Sequence, residues 1–323
     1  MTARIVFLDR AIFAPSVALK APGFAHEWID HATTRAEEVV ERLQGARIAA
    51  TSKIPIGPAE MAALPDLAMI AIAGTGTDHI DLAAAKAKGV VVANLKGYAW
   101  RAVAEHAIAL AFALARNIKA YGAATAAGRW TEAEAFCWHG AGPIRDLMGA
   151  TFVVVGKGAI GAETGRLAET LGMETLYAER PDATTVRPGY VPFAEALAAA
   201  DVLSLHCPLT PATRGMIGAA QFAAMAKRPI LINCGRGGLV DEAALEAALD
   251  GGRIAAAGFD VLSSEPPRPD DANPLLRLAA RDNVILTPHV GWASETAMQA
   301  AADMLIGNME AFEAGAPRNV ANP

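Results

Sequence analysis

Only three cysteines occur in the chain, at 137, 207 and 234, and no two of them form a Cys-x-x-Cys pair. An odd, scattered set excludes a disulfide scaffold and fits a reducing cytoplasm. Charge is also scarce: charged residues make up 19%, the net charge is −6, and there is no lysine or arginine run. Without a basic field the chain has no evident affinity for nucleic acid or anionic lipid. The start, MTARIVFLDRAIF, lacks the apolar core of a signal peptide, and the most apolar helical stretch, AIALAFALA (107–115), is too short to span a bilayer. The seven histidines show no HExxH or other zinc spacing, so no metal is expected.

Against those absences stands a high hydrophobic content of 53% over 323 residues, enough for two domains with separate cores. In the first hundred residues RIVFLD (4–9), RIAATS (47–52), MIAIAG (69–74) and VVVAN (90–94) read as buried parallel strands alternating with helical stretches. From 150 onward six more candidates follow the same rhythm: TFVVVG (151–156), METLYAE (173–179), DVLSLH (201–206), PILINCG (229–235), IAAAGFDV (254–261) and NVILTPH (283–289). Strand–helix alternation of this kind calls for an α/β doubly wound parallel sheet, and six strands match a full dinucleotide-binding fold. The last helix, from about Ser294 to Ala314, has no strand after it and is expected to return to the first domain. The expected division is therefore 1–98 plus 292–323 for the outer domain, with 99–291 inserted as the cofactor domain. Residues 99–118 form a helix apolar on nearly every side, which must be covered all round. Two covers are open: burial between the two domains, or a homodimer interface. The Pro-rich EPPRPDDANP (265–274) reads as a rigid surface loop.

Gly156-Lys157-Gly158-Ala159-Ile160-Gly161 follows a strand and opens a helix. In that context the glycines suit a tight turn, a close approach to pyrophosphate and close helix packing, with the helix N-terminus facing the phosphates. Glu179, 18 residues past Gly161, stands where an acid commonly holds the adenosine ribose hydroxyls. NAD is therefore favoured, and the adjoining Arg180 leaves NADP open. Three residues follow later strands: Arg236 after PILINCG, Glu265 closing FDVLSSE, and His289 ending NVILTPH. Ligands bind at the carboxyl ends of such strands. Reducing a 2-oxo acid requires a fixed carboxylate, a polarised carbonyl and a proton donor. Arg236 suits the first two tasks and His289 the third, while Glu265 suits the other ring N–H.

LHCPLTPATRGMIG (205–218), LINCGRGGLVDEAAL (231–245), GFDVLSSEPP (258–267) and LTPHVGWAS (286–294) resemble the D-isomer-specific 2-hydroxyacid dehydrogenases. The similarity extends to AGTGTDHIDLAAAKAKGVVVAN (73–94) and so covers nearly the whole chain. The resemblance implies a Rossmann cofactor domain inserted into a smaller flavodoxin-like α/β substrate domain that closes on it, and a homodimer. It implies Arg236, Glu265 and His289 as the catalytic set, and Asp260 as the contact to the nicotinamide carboxamide. It also implies cofactor contacts from His206, Cys207, Pro208, Thr213 and Cys234, and carboxylate binding by Ala73, Gly74, Thr75 and Gly76. CWHGAGPIRDLMG (137–149), HVGWAS (289–294) and TSK (51–53) look most like the glycerate dehydrogenase, or hydroxypyruvate reductase, branch, with Lys53 near the substrate. Departures occur at Lys157, a glycine-loop position more often apolar, and at AWRAVAEH (99–106), where Trp100 and Arg101 replace small polar residues. Trp100 and Arg101, with Tyr98 and Trp292, bear on the substrate mouth. The leading expectation is hydride transfer between NAD(H) and hydroxypyruvate or glyoxylate. An NADH-sensing, non-catalytic binding protein of the same fold, or a dehydrogenase for another 2-oxo acid (pyruvate, phenylpyruvate or 3-phosphoglycerate), is the alternative.

Overall fold

Every strand with an apolar run on both faces needs helices on both sides, and the computed structural model meets that need twice. It describes residues 2–268, 270 and 272–323; Pro269 and Asp271, within the expected rigid loop at 265–274, lie outside the described residues. The chain divides into two compact units, Met1–Ala99 with Ala293–Pro323, and Trp100–Trp292. These junctions fall one residue from the expected ones.

The smaller unit holds strands β1 (Ala3–Phe7), β2 (His26–Asp30), β3 (Ile48–Thr51), β4 (Met69–Ile72) and β5 (Val91–Ala93) in the order β2-β1-β3-β4-β5. All pairings are parallel. This is a flavodoxin-like order. The core, including Val6, Ile70, Ile72 and Val92, lies on the fully buried strands β3 and β4 and their neighbours. β2 has no counterpart among the expected strands. Its sequence, HEWID, is half-exposed throughout because it forms the sheet edge, so it lacks the apolar run that marks the other four. The helix Glu295–Glu313 belongs to this unit and packs on β4, starting from Ser294, whose hydroxyl accepts from the Ala297 amide.

The larger unit holds β6 (Thr151–Val155), β7 (Glu174–Ala178), β8 (Val202–Leu205), β9 (Ile230–Asn233), β10 (Ala256–Phe259) and β11 (Val284–Leu286). Their order is β11-β10-β9-β8-β6-β7, again all parallel. The six expected strands are present, but in a different assignment from a six-strand dinucleotide fold. The strand that would extend the sheet beyond β7 is reduced to one bridge, Ala178 to Val191, and β11 adds a strand at the opposite edge. The winding reverses at β6, which lies between β7 and β8, and the carboxyl ends of β6 and β8 form the crevice where such sheets bind ligands.

The apolar helix expected over 99–118 runs from Trp100 to Ala115, followed by a second helix, Ile118–Ala126. One face of it is covered within its own unit. Ala107, Leu110, Ala111 and Leu114 pack within the larger unit against Phe152, Val154, Val202, Ile230 and Ile232, and the helix also lies along Ala159–Thr170. Gly258 is the fit between helix and sheet: a side chain there would meet Leu110 Cβ at 3.2 Å and Ile232 Cδ1 at 2.9 Å. No helix among the described residues is long and apolar enough to cross a membrane.

Candidate active site

Gly156 leaves β6 with φ of +100°, and a Cβ on it would sit 2.7 Å from the Cys207 amide nitrogen and 2.9 Å from the His206 carbonyl carbon. The glycine therefore lets the turn after β6 lie directly on the segment after β8. Gly161 fits the helix to that turn, since its Cβ would meet the Gly156 carbonyl oxygen at 2.0 Å. Gly158 differs, with nothing within 4 Å of a Cβ. The space beside it, at the N-terminus of the helix formed by Ala159, Ile160 and the residues after them, is open for a pyrophosphate. These residues fit a dinucleotide.

Pro208 and Thr213 belong to the turn after β8. The Thr213 hydroxyl donates to the Pro208 carbonyl at 2.7 Å and accepts from the Thr210 amide at 2.8 Å, so it braces the loop. His206 donates or accepts through Nε2 with the Ser204 hydroxyl at 2.8 Å, while Nδ1 is buried without a partner among the described residues. Burial lowers its pKa to about 4, so the ring is neutral near pH 7. Burial also pushes the Cys207 thiol up to about 11 and the Cys234 thiol upward, which makes both poor nucleophiles. Glu179 ends β7 as expected, but its carboxylate is turned to Arg187, with Nη2 at 2.7 Å and Nε at 2.7 Å.

Arg236 follows β9 on a turn braced by Asn233, whose side chain donates to the Arg236 carbonyl at 2.9 Å and accepts from the Gly235 amide at 3.1 Å. Gly237 presses this turn against the segment after β10: a Cβ there would lie 2.0 Å from the Leu262 carbonyl carbon. That segment carries Glu265. One Glu265 oxygen accepts from the Leu262 amide at 2.8 Å, and the other lies 2.6 Å from Nδ1 of His289. Nδ1 therefore carries the proton toward Glu265, and Nε2 is directed away from the carboxylate. Of the expected trio, Glu265 and His289 are directly bonded, and Arg236 and Glu265 occupy turns packed on one another.

Asp260 is buried, and its carboxylate accepts from the Thr287 hydroxyl at 2.6 Å and from the Val290 and Gly291 amides at 2.9 and 2.8 Å. His106, on the helix Trp100–Ala115, donates through Nε2 to Thr287 at 2.9 Å and lies 3.5 Å from Asp260. The segment bearing His289 is thus held on both sides by Asp260. His106, Thr287, Asn233 and Arg187 were not among the residues expected from sequence. The first two had a signal in AEHAIAL and LTPH, where polar residues interrupt apolar runs; Arg187 had none, since it lies in an irregular loop. Arg101 stacks over Trp100 at 4.7 Å from the ring centre.

In the smaller unit, Gly74, Thr75 and Gly76 form the turn after β4 and Ala73. The Gly74 carbonyl accepts from the Leu95 amide at 2.9 Å and the Thr75 carbonyl from Asn94 at 2.7 Å. Among the described residues the amides of Thr75 and Gly76 have no protein acceptor. Lys53 is exposed and follows β3; its amide and that of Ser52 donate to Asp9 at 2.9 Å, an acid unremarked in the sequence. Burial raises the Asp9 pKa despite those bonds. His79 is lowered to about 4 by burial and by the Lys53 charge. Among the described residues no cluster suited to a metal ion occurs.

Residues 108–291 match the model described as the D-isomer specific 2-hydroxyacid dehydrogenase, NAD binding domain. A glycerate dehydrogenase of Methylorubrum extorquens is 47% identical over 99% of this chain and 99% of its own length. A hydroxypyruvate reductase of Blautia hydrogenotrophica is 33% identical, with 99% of each chain covered. The crystal structure of an NADPH-dependent glyoxylate/hydroxypyruvate reductase of Sinorhizobium meliloti, 30% identical, superposes with a TM-score of 0.83 over 99% of both chains. Fold, strand-end residues and sequence relatives together make this chain a member of the D-isomer specific 2-hydroxyacid dehydrogenase family.

Proposed function

We propose that the chain reduces hydroxypyruvate or glyoxylate to the D-2-hydroxy acid, with His289 as proton donor. The observation that carries this reading is the 2.6 Å contact between His289 Nδ1 and Glu265. It orients the ring and fixes Nε2 as the nitrogen that gives the proton. A bound nicotinamide supplies the hydride to the carbonyl carbon. As negative charge develops on the carbonyl oxygen, His289 gives it a proton and returns to neutral imidazole. Arg236 holds the substrate carboxylate through its planar fork and polarises the carbonyl. In the smaller unit, the 73–76 turn offers amides suited to a carboxylate, and Lys53 offers charge. Asp260 keeps the His289 segment in place and bears on the carboxamide of the nicotinamide.

The substrate class rests on the relatives, whose names specify glycerate, hydroxypyruvate and glyoxylate. The chain is further read as a cytoplasmic homodimer. Support comes from apolar side chains exposed along 118–148: Phe136 is 90% exposed, Met148 82%, Ile118 60% and Trp130 55%. Oxidation of NADH and NADPH with hydroxypyruvate, glyoxylate, pyruvate and phenylpyruvate tests the reading. The highest kcat/KM is expected with hydroxypyruvate or glyoxylate. A tenfold preference for pyruvate or phenylpyruvate would overturn the substrate, and no turnover with any of the four would overturn the reaction.

A further inference from the structure

We infer that the ribose end of the cofactor site accepts a 2′-phosphate, so that the chain binds NADP(H) at least as tightly as NAD(H). This deepens the cofactor reading above and rests on it. An acid at the end of the second strand ordinarily serves the other cofactor: it accepts the ribose 2′-hydroxyl and repels a phosphate there. Glu179 occupies that position, but its carboxylate is already engaged. Oε1 accepts from the Arg180 amide at 2.8 Å and from Arg187 Nη2 at 2.7 Å. Oε2 accepts from the Arg187 amide at 3.1 Å and from Arg187 Nε at 2.7 Å. A carboxylate offers about four lone-pair sites, and four donors fill them. The side chain is 1% exposed, so little of its charge reaches a ribose. The Arg187 fork and the Arg180 amide lower its pKa to about 2, so the pair stays ionised and closed across the physiological range.

What this edge presents instead is cationic. The Arg180 side chain is 72% exposed and that of Arg187 52% exposed. Lys157, the unusual member of the glycine loop, lies with its ammonium 4.0 Å from the centre of the Tyr177 ring and 5.8 Å from that of Tyr190. Arg187 lies 4.0 Å over the Tyr190 ring. The two tyrosines thus hold one cation from the turn after β6 and one from the 187–190 segment, while Arg180 follows β7 itself. The turn after β6, the residue after β7 and the 187–190 segment therefore each carry a positive group. Guanidinium forks suit a phosphate dianion far better than a neutral hydroxyl. Arg187 has a double part: it silences the acid that would reject the phosphate and adds charge that attracts it.

The test uses calorimetric titration of the full chain with 2′,5′-ADP and with 5′-ADP, which carry the ribose end and no nicotinamide. The first is expected to bind at least as tightly as the second. In Arg180→Ala, 2′,5′-ADP should weaken about tenfold, the loss of one charge-assisted contact, with 5′-ADP unchanged. In Arg187→Ala, which frees the Glu179 carboxylate, the order should reverse; Lys157→Ala, on a different element, should weaken 2′,5′-ADP selectively even if Arg187→Ala does not fold. Tighter binding of 5′-ADP by the unmodified chain overturns the inference, as does a ratio unaltered by Arg180→Ala and Lys157→Ala. Neither readout involves an oxo acid. Failure of the substrate reading would leave these titrations intact, and a chain that reduces hydroxypyruvate yet rejects 2′,5′-ADP would retain the reaction and lose only this inference.

Discussion

His289 adopts φ of +55°, a conformation that few residues other than glycine enter. Such a backbone persists where its surroundings over-determine it. Here Asp260 takes the two following amides and the Thr287 hydroxyl, and Glu265 takes the ring. The imidazole is therefore set by bonds on both sides. His206 is a different kind of histidine, and pH acts on it through stability. Burial lowers its pKa from 6.5 to about 4. The folded state prefers the neutral ring, so the full stability is present above about pH 6.5 and is lost as pH falls toward 4. The loss is at most ~3 kcal/mol by linkage. Urea unfolding at pH 7.5 and 4.5 should show a smaller loss of midpoint in His206→Asn than in the unmodified chain; parallel losses would mean the ring is not held neutral. At this scale the sequence was legible where a residue follows a strand. Arg236, Glu265 and His289 all do, and two of them are bonded. It was not legible for Arg187, whose partnership with Glu179 spans 8 positions of irregular loop. Nor did it reveal that Asp260 braces the His289 segment, because side-chain direction follows from packing and not from order along the chain.

Among elements, the turns after β9 and β10 decide whether the site assembles. Gly237 leaves no room for a methyl group against Leu262, so Gly237→Ala must push the two turns apart. Overpacking of this kind costs about 1–3 kcal/mol. The variant should unfold at lower urea and lose kcat at least tenfold, because Arg236 and Glu265 sit on the separated turns. Unaltered stability and kcat would contradict the close packing of these segments. The strands with continuous apolar runs were all readable within three residues at each end. β2 was not, since HEWID has no fully buried residue and no apolar run, and the lost third strand of the larger sheet leaves only Val191 to mark it. The helix Trp100–Ala115 shows why a pattern without a polar face is ambiguous. Its apolar surface says that it is covered, but not by what; β6, β8, β9 and the helix Ala159–Thr170 supply one part of that cover.

For the whole molecule, the residues proposed for the reaction lie on both units, the dinucleotide loop and the His289–Glu265 pair on one, the 73–76 turn and Lys53 on the other. In the proposed homodimer, the exposed apolar residues of 118–148 are the surface offered to a second copy. Burying a large side chain contributes about 1.5–3 kcal/mol, so replacing Phe136 and Met148 together by Glu should convert a dimer to monomers in sedimentation at micromolar concentration. An unmodified chain that sediments as a monomer would contradict the homodimer. The account as a whole depends on His289 as the group that gives the proton. Its most direct test is steady-state reduction of hydroxypyruvate by His289→Ala, with cofactor affinity measured in the same preparation. A fall in kcat of at least about a hundredfold is expected, from the usual worth of a positioned acid, with cofactor binding changed less than threefold. Turnover at the unmodified rate would contradict the account.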